Sequence, residues 1–154
     1  RLVQQPENWR IGPPLCAGLS FIHYKGFAVA PSLEKLKEVY QNQYSQLIEW
    51  GIHVMVSQNG LGELTIGDSH EYGLDLSPFD RTDVNDMILN FLKGFAQFKD
   101  WRIGSAWHGI YPKMTNGATE FIYQVDEVVT IVNGLGGNGM TLSFGLGEEV
   151  VSNL

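Results

Sequence analysis

The spacing of apolar positions along the chain predicts two amphipathic helices. Between Ser32 and Gly51, apolar side chains recur every three or four residues, with Ser32 as the N-cap and Gly51 just beyond the C-terminus. A second run over residues 81–98 places Val84, Ile88 and Leu92 one turn apart on one face. Each helix therefore has an apolar face that must be covered by another element.

Other segments are rich in β-branched and aromatic residues, which indicates strands. Residues 52–58 and 63–69 flank the pair Asn59–Gly60 and predict a β-hairpin. Similar composition predicts one or two strands over residues 18–30 and further strands at 101–111, 120–125 and 127–133, with a short helix after them. The order of elements predicts an α+β fold: a mixed or largely antiparallel sheet with helices on one face, and a terminal strand–turn–helix.

The last predicted strand runs into a glycine-rich turn. Gly134, Gly136 and Gly139 fit the pattern G-x-G-x-x-G, which in dinucleotide-binding folds needs a second strand ending in an acidic residue about 20 residues further on. Only 15 residues follow Gly139, so this is not the standard first turn of such a fold. Two interpretations remain: a plain tight turn, or a turn that presents a helix N-terminus to an electron-rich ligand.

Composition narrows the classes of function. A net charge of −7 without a basic run argues against a nucleic-acid surface, and no apolar stretch reaches the length of a membrane span. The single cysteine, Cys16, excludes an internal disulfide, predicts a buried packing role and suits a cytoplasmic location. The chain begins at Arg1 rather than at a methionine, which suggests a fragment of a longer protein.

The four histidines give no recognisable metal motif. His23, His53, His70 and His108 form no H-E-x-x-H pair or other close spacing, so no zinc site is expected. The run from Asp68 to Glu71 reads as a polar loop rather than a catalytic triad, because triad members normally come from separate elements.

Residues 107–117 combine basic and aromatic side chains in a turn. His108, Tyr111 and Lys113 could line a pocket there, although Pro112 and Gly117 favour a plain turn. Taken singly, these residues identify no reaction.

Four segments in order carry a family resemblance: a predicted strand at residues 18–24 (GLSFIHY), residues 62–69 (GELTIGDS), residues 107–117 (WHGIYPKMTNG) and residues 134–149 (GLGGNGMTLSFGLGEE). Together they resemble the C-terminal half of FAD-dependent oxidoreductases of the D-amino-acid oxidase and glycine oxidase family, over essentially the whole chain. The likeness is greatest to a branch associated with phosphonate breakdown. It implies a substrate-binding domain in residues 1–112 and a returning segment of the FAD-binding domain in residues 113–154.

The resemblance also implies where FAD and substrate bind. The glycine turn and the start of the last helix would contact FAD, a set comprising Gly134, Gly136, Gly137, Asn138, Gly139, Met140 and Thr141. The amino-acid oxidases hold the substrate carboxylate with an arginine and a tyrosine, whereas this chain has Tyr111 and Met55 at the corresponding places. With His108 and Lys113, these residues form the predicted substrate-binding set, and no catalytic residue is assigned.

The implied activity is oxidation of the C–N bond of a small amine by hydride transfer to flavin. Because a phenol does not replace a bidentate guanidinium, a plain α-amino acid is not the expected substrate. The resemblance to the phosphonate-associated branch implies an amino-phosphonate-like amine as the other possibility. The chain alone is expected to bind FAD weakly and to be inactive. The alternative is a self-contained α+β module that binds a small molecule or anion without catalysis, and a homo-oligomer is left open.

Overall fold

The computed structural model describes residues 1–153 of the 154-residue chain, and only the backbone of Lys25. The chain divides into two compact units, unit 1 in residues 1–107 and unit 2 from residue 108 onward. Helices and antiparallel sheets are both present, so the predicted α+β fold class is confirmed. The assignment of residues 1–112 and 113–154 to a substrate-binding domain and a returning FAD segment stays a prediction.

A four-stranded antiparallel sheet forms the centre of unit 1. The predicted hairpin is present, and it pairs Met55 with Gly67 and Gln58 with Leu64. Asn59 closes its turn by accepting two backbone hydrogen bonds of 3.0 Å on Oδ1. The strands stand in the order β1 (Leu2–Gln4), β4 (Glu63–Gly67), β3 (Met55–Gln58) and β2 (Leu15–Cys16). The two outer strands are too short to give a sequence signal, and neither was predicted.

Four helices belong to unit 1: α1 (Leu19–His23), α2 (Leu33–Gln43), α3 (Ser45–Glu49) and α4 (Thr82–Lys93). The predicted apolar face of α4 is confirmed, since Val84, Ile88 and Leu92 are all buried in the core. The helix predicted over residues 32–51 is interrupted at Tyr44, whose backbone (φ −138°, ψ 38°) is not helical. Gly51 follows it with φ +54°, the left-handed conformation expected beyond a helix end.

The strands predicted over residues 18–30 are wrong. This segment forms α1 and a 3₁₀ turn over Lys25–Val29, closed by local backbone bonds such as Tyr24 N to Ser20 O at 3.2 Å. Aromatic and β-branched composition indicated strands, but burial does not alternate along the segment: Leu19 and Ser20 are buried next to each other, and Phe27 is exposed. Local turns satisfy the backbone where no neighbouring strand is available.

Two further predictions are wrong: a strand over residues 101–111 and a buried Cys16. Residues 101–111 form no strand, and only Ile103 makes an isolated bridge, to Leu2. Cys16 was predicted to be buried, but it is exposed, because it lies on the outer strand β2. The next residue, Ala17, is the buried one.

The buried side chain of Gln5 connects two distant parts of unit 1. Its Nε2 donates to the carbonyls of Val3 (3.2 Å) and Asp100 (2.7 Å), and its Oε1 accepts from the amides of Lys99 and Asp100, both at 3.0 Å. The Gln5 side chain therefore satisfies three backbone groups of residues 99–100, about 95 residues away in the sequence. Nothing in the sequence pattern had marked this residue.

Unit 2 consists of a hairpin, a glycine turn and one helix. The two strands that the composition predicted here are present as β5 (Phe121–Gln124) and β6 (Thr130–Asn133), which pair antiparallel, and α5 spans Gly139–Ser152. A 3₁₀ turn over Gly136–Asn138 connects the hairpin to the helix. The predicted terminal strand–turn–helix is therefore present.

Candidate functional site

The glycine turn of unit 2 has the backbone conformation that its sequence requires. Gly134 (φ +80°) and Gly136 (φ +59°) lie in the left-handed region, which residues with a Cβ rarely adopt. Gly134 is also buried, and a Cβ there would lie 3.0 Å from Met114 Sδ. The turn therefore reverses the chain tightly between β6 and α5.

Helix α5 begins without a side-chain cap. Asn138 occupies the N-cap position but makes no side-chain capping bond, and no acidic residue lies in the first turn. The first backbone N–H groups of a helix have no intrahelical acceptor, and the helix dipole places partial positive charge there. A Cβ added at Gly139 would meet no described protein atom within 4 Å. Met140 and Thr141 follow on the exposed surface.

Two of the predicted substrate-binding residues lie beside this turn. A Cβ at Gly137 would stand 3.2 Å from the Tyr111 hydroxyl, and Lys113 bridges Leu135 through its backbone. The Lys113 Cγ lies 3.8 Å from the position of a Cβ at Gly136. The structure thus brings Tyr111 and Lys113 together with the predicted cofactor residues within unit 2.

The other two members of the predicted substrate-binding set are His108 and Met55. His108 is exposed at the start of unit 2. Met55 belongs to unit 1, where it begins β3 opposite Gly67 with 40% of its surface exposed.

Unit 1 contains a cluster of three histidines, and the sequence pattern had not predicted their proximity. The rings of His23, His53 and His70 have centroids 4.3–5.0 Å apart. His23 ends α1, His53 precedes β3, and His70 follows β4. Asp68 contacts two of the rings, with Oδ1 3.0 Å from His53 Nε2 and Oδ2 3.7 Å from His70 Nε2.

Burial dominates the electrostatics of the cluster. His53 is 1% exposed, and burial lowers its pKa to about 4, with the nearby charge of His70 acting in the same direction. Its contact with Asp68 at neutral pH is therefore a hydrogen bond from a neutral imidazole rather than an ion pair. Partial burial raises the pKa of the Asp68 carboxyl, and the charges of His70 and His23 oppose that increase.

Comparison with known protein families shows to which family the chain belongs. The sequence model of the family described as FAD dependent oxidoreductase matches residues 15–153, which is most of the chain. The chain belongs to the FAD-dependent oxidoreductase family. No curated protein and no solved structure matches it. The expected family membership is confirmed at this level, and the closer branch stays a prediction.

The residues of this FAD-dependent oxidoreductase chain fit the cofactor at the glycine turn. A helix start without a side-chain cap and without an acidic residue in its first turn is compatible with an electron-rich group, and Gly139 adds no side chain there. Among the described residues, no helix has both the length and the apolar character that crossing a bilayer demands.

Proposed function

We propose that this chain is the C-terminal part of an FAD-dependent oxidoreductase that oxidises the C–N bond of a small amine by hydride transfer to flavin. The amine is an amino acid or, in preference, an amino-phosphonate-like compound. Residues 1–112 contribute to the substrate-binding domain, and residues 113–154 return to the FAD-binding domain. Family membership over residues 15–153 supports the class of cofactor chemistry.

The uncapped N-terminus of α5 is the observation that carries the proposal. In this assignment Gly134, Gly136 and Gly137 shape the turn, and the backbone from Asn138 to Thr141 faces the cofactor. When bound, FAD supplies the two-electron acceptor chemistry. The donors at the start of α5 stabilise negative charge at the ring, and the missing side chain of Gly139 keeps the backbone accessible.

Replacing Gly139 by valine tests this assignment in the intact protein. Because a Cβ added at Gly139 meets no described protein atom within 4 Å, the fold should tolerate the substitution, while flavin affinity falls by at least about tenfold. Flavin content and fluorescence titration measure the affinity, and circular dichroism checks the fold. Gly145→Val is the matched control, since it places the same side chain on the same helix, also without a neighbour within 4 Å, away from its N-terminus. Equal flavin affinity in both variants would remove α5 from the cofactor site.

Substrate recognition is assigned to Tyr111 and Lys113, with His108 and Met55 as further members of the predicted set. Tyr111 and Lys113 lie beside the glycine turn within unit 2, so a substrate held there would be next to the proposed cofactor contacts. Tyr111 offers a neutral hydrogen bond, and Lys113 offers a cation for a phosphonate or carboxylate.

Changing Lys113 to methionine should therefore act selectively on anionic substrates. A charge-assisted hydrogen bond contributes about 1.5–3 kcal/mol, which predicts a fall in kcat/KM of about 10- to 100-fold for anionic amines and little change for neutral ones. Steady-state kinetics on a matched pair, an amino-phosphonate and the corresponding amine, measure the difference. Lys99→Met, an exposed lysine in unit 1, is the control. Equal losses for both substrates would place Lys113 outside the recognition site.

A panel of amines separates catalysis from simple binding. Anaerobic bleaching of the flavin by a small amine is expected of the oxidoreductase, whereas the alternative, a binding module without catalysis, would leave the flavin spectrum unchanged. We propose no nucleic-acid partner, because the net charge of the chain is −7. We propose a cytoplasmic location, because a single cysteine suits a reducing compartment.

A further inference from the structure

We propose that His23, His53 and His70, together with Asp68, form a binding site for a divalent transition metal of the zinc type. The site lies within unit 1 and is independent of the cofactor contacts proposed for unit 2. Three imidazoles and one carboxylate make a nitrogen-rich donor set, which suits zinc and its neighbours rather than magnesium or calcium.

The positions of the ligand atoms support a single ion. One ligand nitrogen from each histidine can be chosen so that all three lie within 4.8 Å of one another. In a tetrahedral zinc site with Zn–N bonds of about 2.0–2.1 Å, two ligand atoms lie about 3.3–3.4 Å apart. Closing the difference requires each ring to move by up to about 0.8 Å, which is within the reach of small side-chain rotations.

Hydrogen bonds at Nδ1 fix the orientation of two of the rings. His70 Nδ1 lies 3.1 Å from the carbonyl oxygen of Gly51, an acceptor, so Nδ1 carries the proton and Nε2 is left as the lone-pair donor. His53 Nδ1 faces the buried hydroxyl of Ser20 at 3.4 Å, and its Nε2 also points to Asp68. Metal-binding histidines typically have such a partner on the nitrogen that does not bind the ion.

Asp68 completes the set as the fourth ligand. Its oxygens lie 3.0 Å from His53 Nε2 and 3.7 Å from His70 Nε2, which brackets the separation of two ligands on one tetrahedral ion. An ion would replace the proton that His53 Nε2 shares with Asp68, so that the hydrogen bond becomes two bonds to metal. The resulting four-coordinate site would join the end of α1, the segment before β3 and the segment after β4, which suits a structural role.

Metal titration of the intact protein, after treatment with a chelator, tests the proposal. Zinc binding measured by calorimetry should reach one ion per chain, and Co²⁺ should give the intense visible absorption of a tetrahedral site. His70→Gln and His23→Gln should each weaken zinc binding by about 100-fold or more, and Ser20→Ala, which changes only the orienting contact, by about 10- to 100-fold. His108→Gln removes a histidine outside the cluster and should leave zinc affinity unchanged.

The Asp68→Asn variant keeps the test informative if the histidine variants fail to fold. Asp68 is about half exposed, so this variant should fold normally and still lose at least about tenfold in zinc affinity. Three results would overturn the proposal: no stoichiometric zinc binding by the native protein, unchanged binding in folded Asp68→Asn and His70→Gln proteins, or an octahedral Co²⁺ spectrum. The first two would show that the three rings and Asp68 do not bind the ion, and the third would show that a bound ion lacks the proposed four-coordinate geometry.

Discussion

Replacing Gln5 by leucine should lower the free energy of unfolding by about 2–4 kcal/mol, because the buried amide satisfies four backbone groups at once. Leucine has a similar size but no polar atom, so the carbonyls of Val3 and Asp100 and the amides of Lys99 and Asp100 lose their partner. Urea denaturation of the intact protein, followed by circular dichroism, measures the loss.

The neighbouring residue supplies the control for Gln5. Gln4, the last residue of β1, is exposed, and Gln4→Leu should change stability by no more than about 0.5 kcal/mol. Gln5→Glu retains an oxygen acceptor but removes the amide donor and places a carboxylate against two carbonyls, so it should be destabilising as well. If Gln5→Leu were as stable as Gln4→Leu, the turn at residues 99–100 would be held by other contacts.

Replacing Gly134 by alanine should destabilise unit 2 by about 2–4 kcal/mol, because a conformational cost and a steric cost add. A φ of +80° is unfavourable for any residue with a Cβ, and the new atom would lie 3.0 Å from Met114 Sδ and 3.3 Å from Phe121 Cβ. Hydrogen exchange of the β5–β6 amides in the intact protein measures this loss locally, without relying on the unfolding of unit 1.

A second substitution separates the two costs at Gly134. Shortening Met114 to alanine in the Gly134→Ala background should recover part of the steric cost and none of the conformational one. Gly139→Ala, at a helical φ of −53° and without a neighbour within 4 Å, should be neutral or stabilising by up to about 1 kcal/mol. Equal protection of the hairpin in Gly134→Ala and Gly139→Ala proteins would contradict the positive φ at residue 134.

Local sequence patterns predicted the elements whose burial is periodic. The spacing of Val84, Ile88 and Leu92 identified α4, and the turn at Asn59 identified the β3–β4 hairpin, because one face of each element is buried. Residues 18–30 were assigned wrongly since composition was the only signal there. The short strands β1 and β2 depend on partners far along the chain, which no local pattern describes.

The distinction between local patterns and long-range contacts also applies to the glycine turn and to the histidine cluster. The glycine turn could be predicted because its conformation is encoded by adjacent residues, Gly134 and Gly136. The histidine cluster depends on long-range folding, although the hairpin register held part of the information. Beyond the pairing of Met55 with Gly67, His53 exchanges backbone hydrogen bonds with Asp68 in both directions, which places it close to His70. The position of His23 on α1 could not be derived in this way.

The lengths of the edge strands affect how each unit behaves toward other chains. In unit 1 the sheet ends in strands of three and two residues, so it offers few unpaired backbone groups for another strand to join. In unit 2 both strands of the β5–β6 ladder are edges, each four residues long and rich in apolar side chains such as Ile122 and Val132. Intermolecular strand pairing, and with it aggregation during folding, would therefore start at this hairpin rather than at the larger sheet.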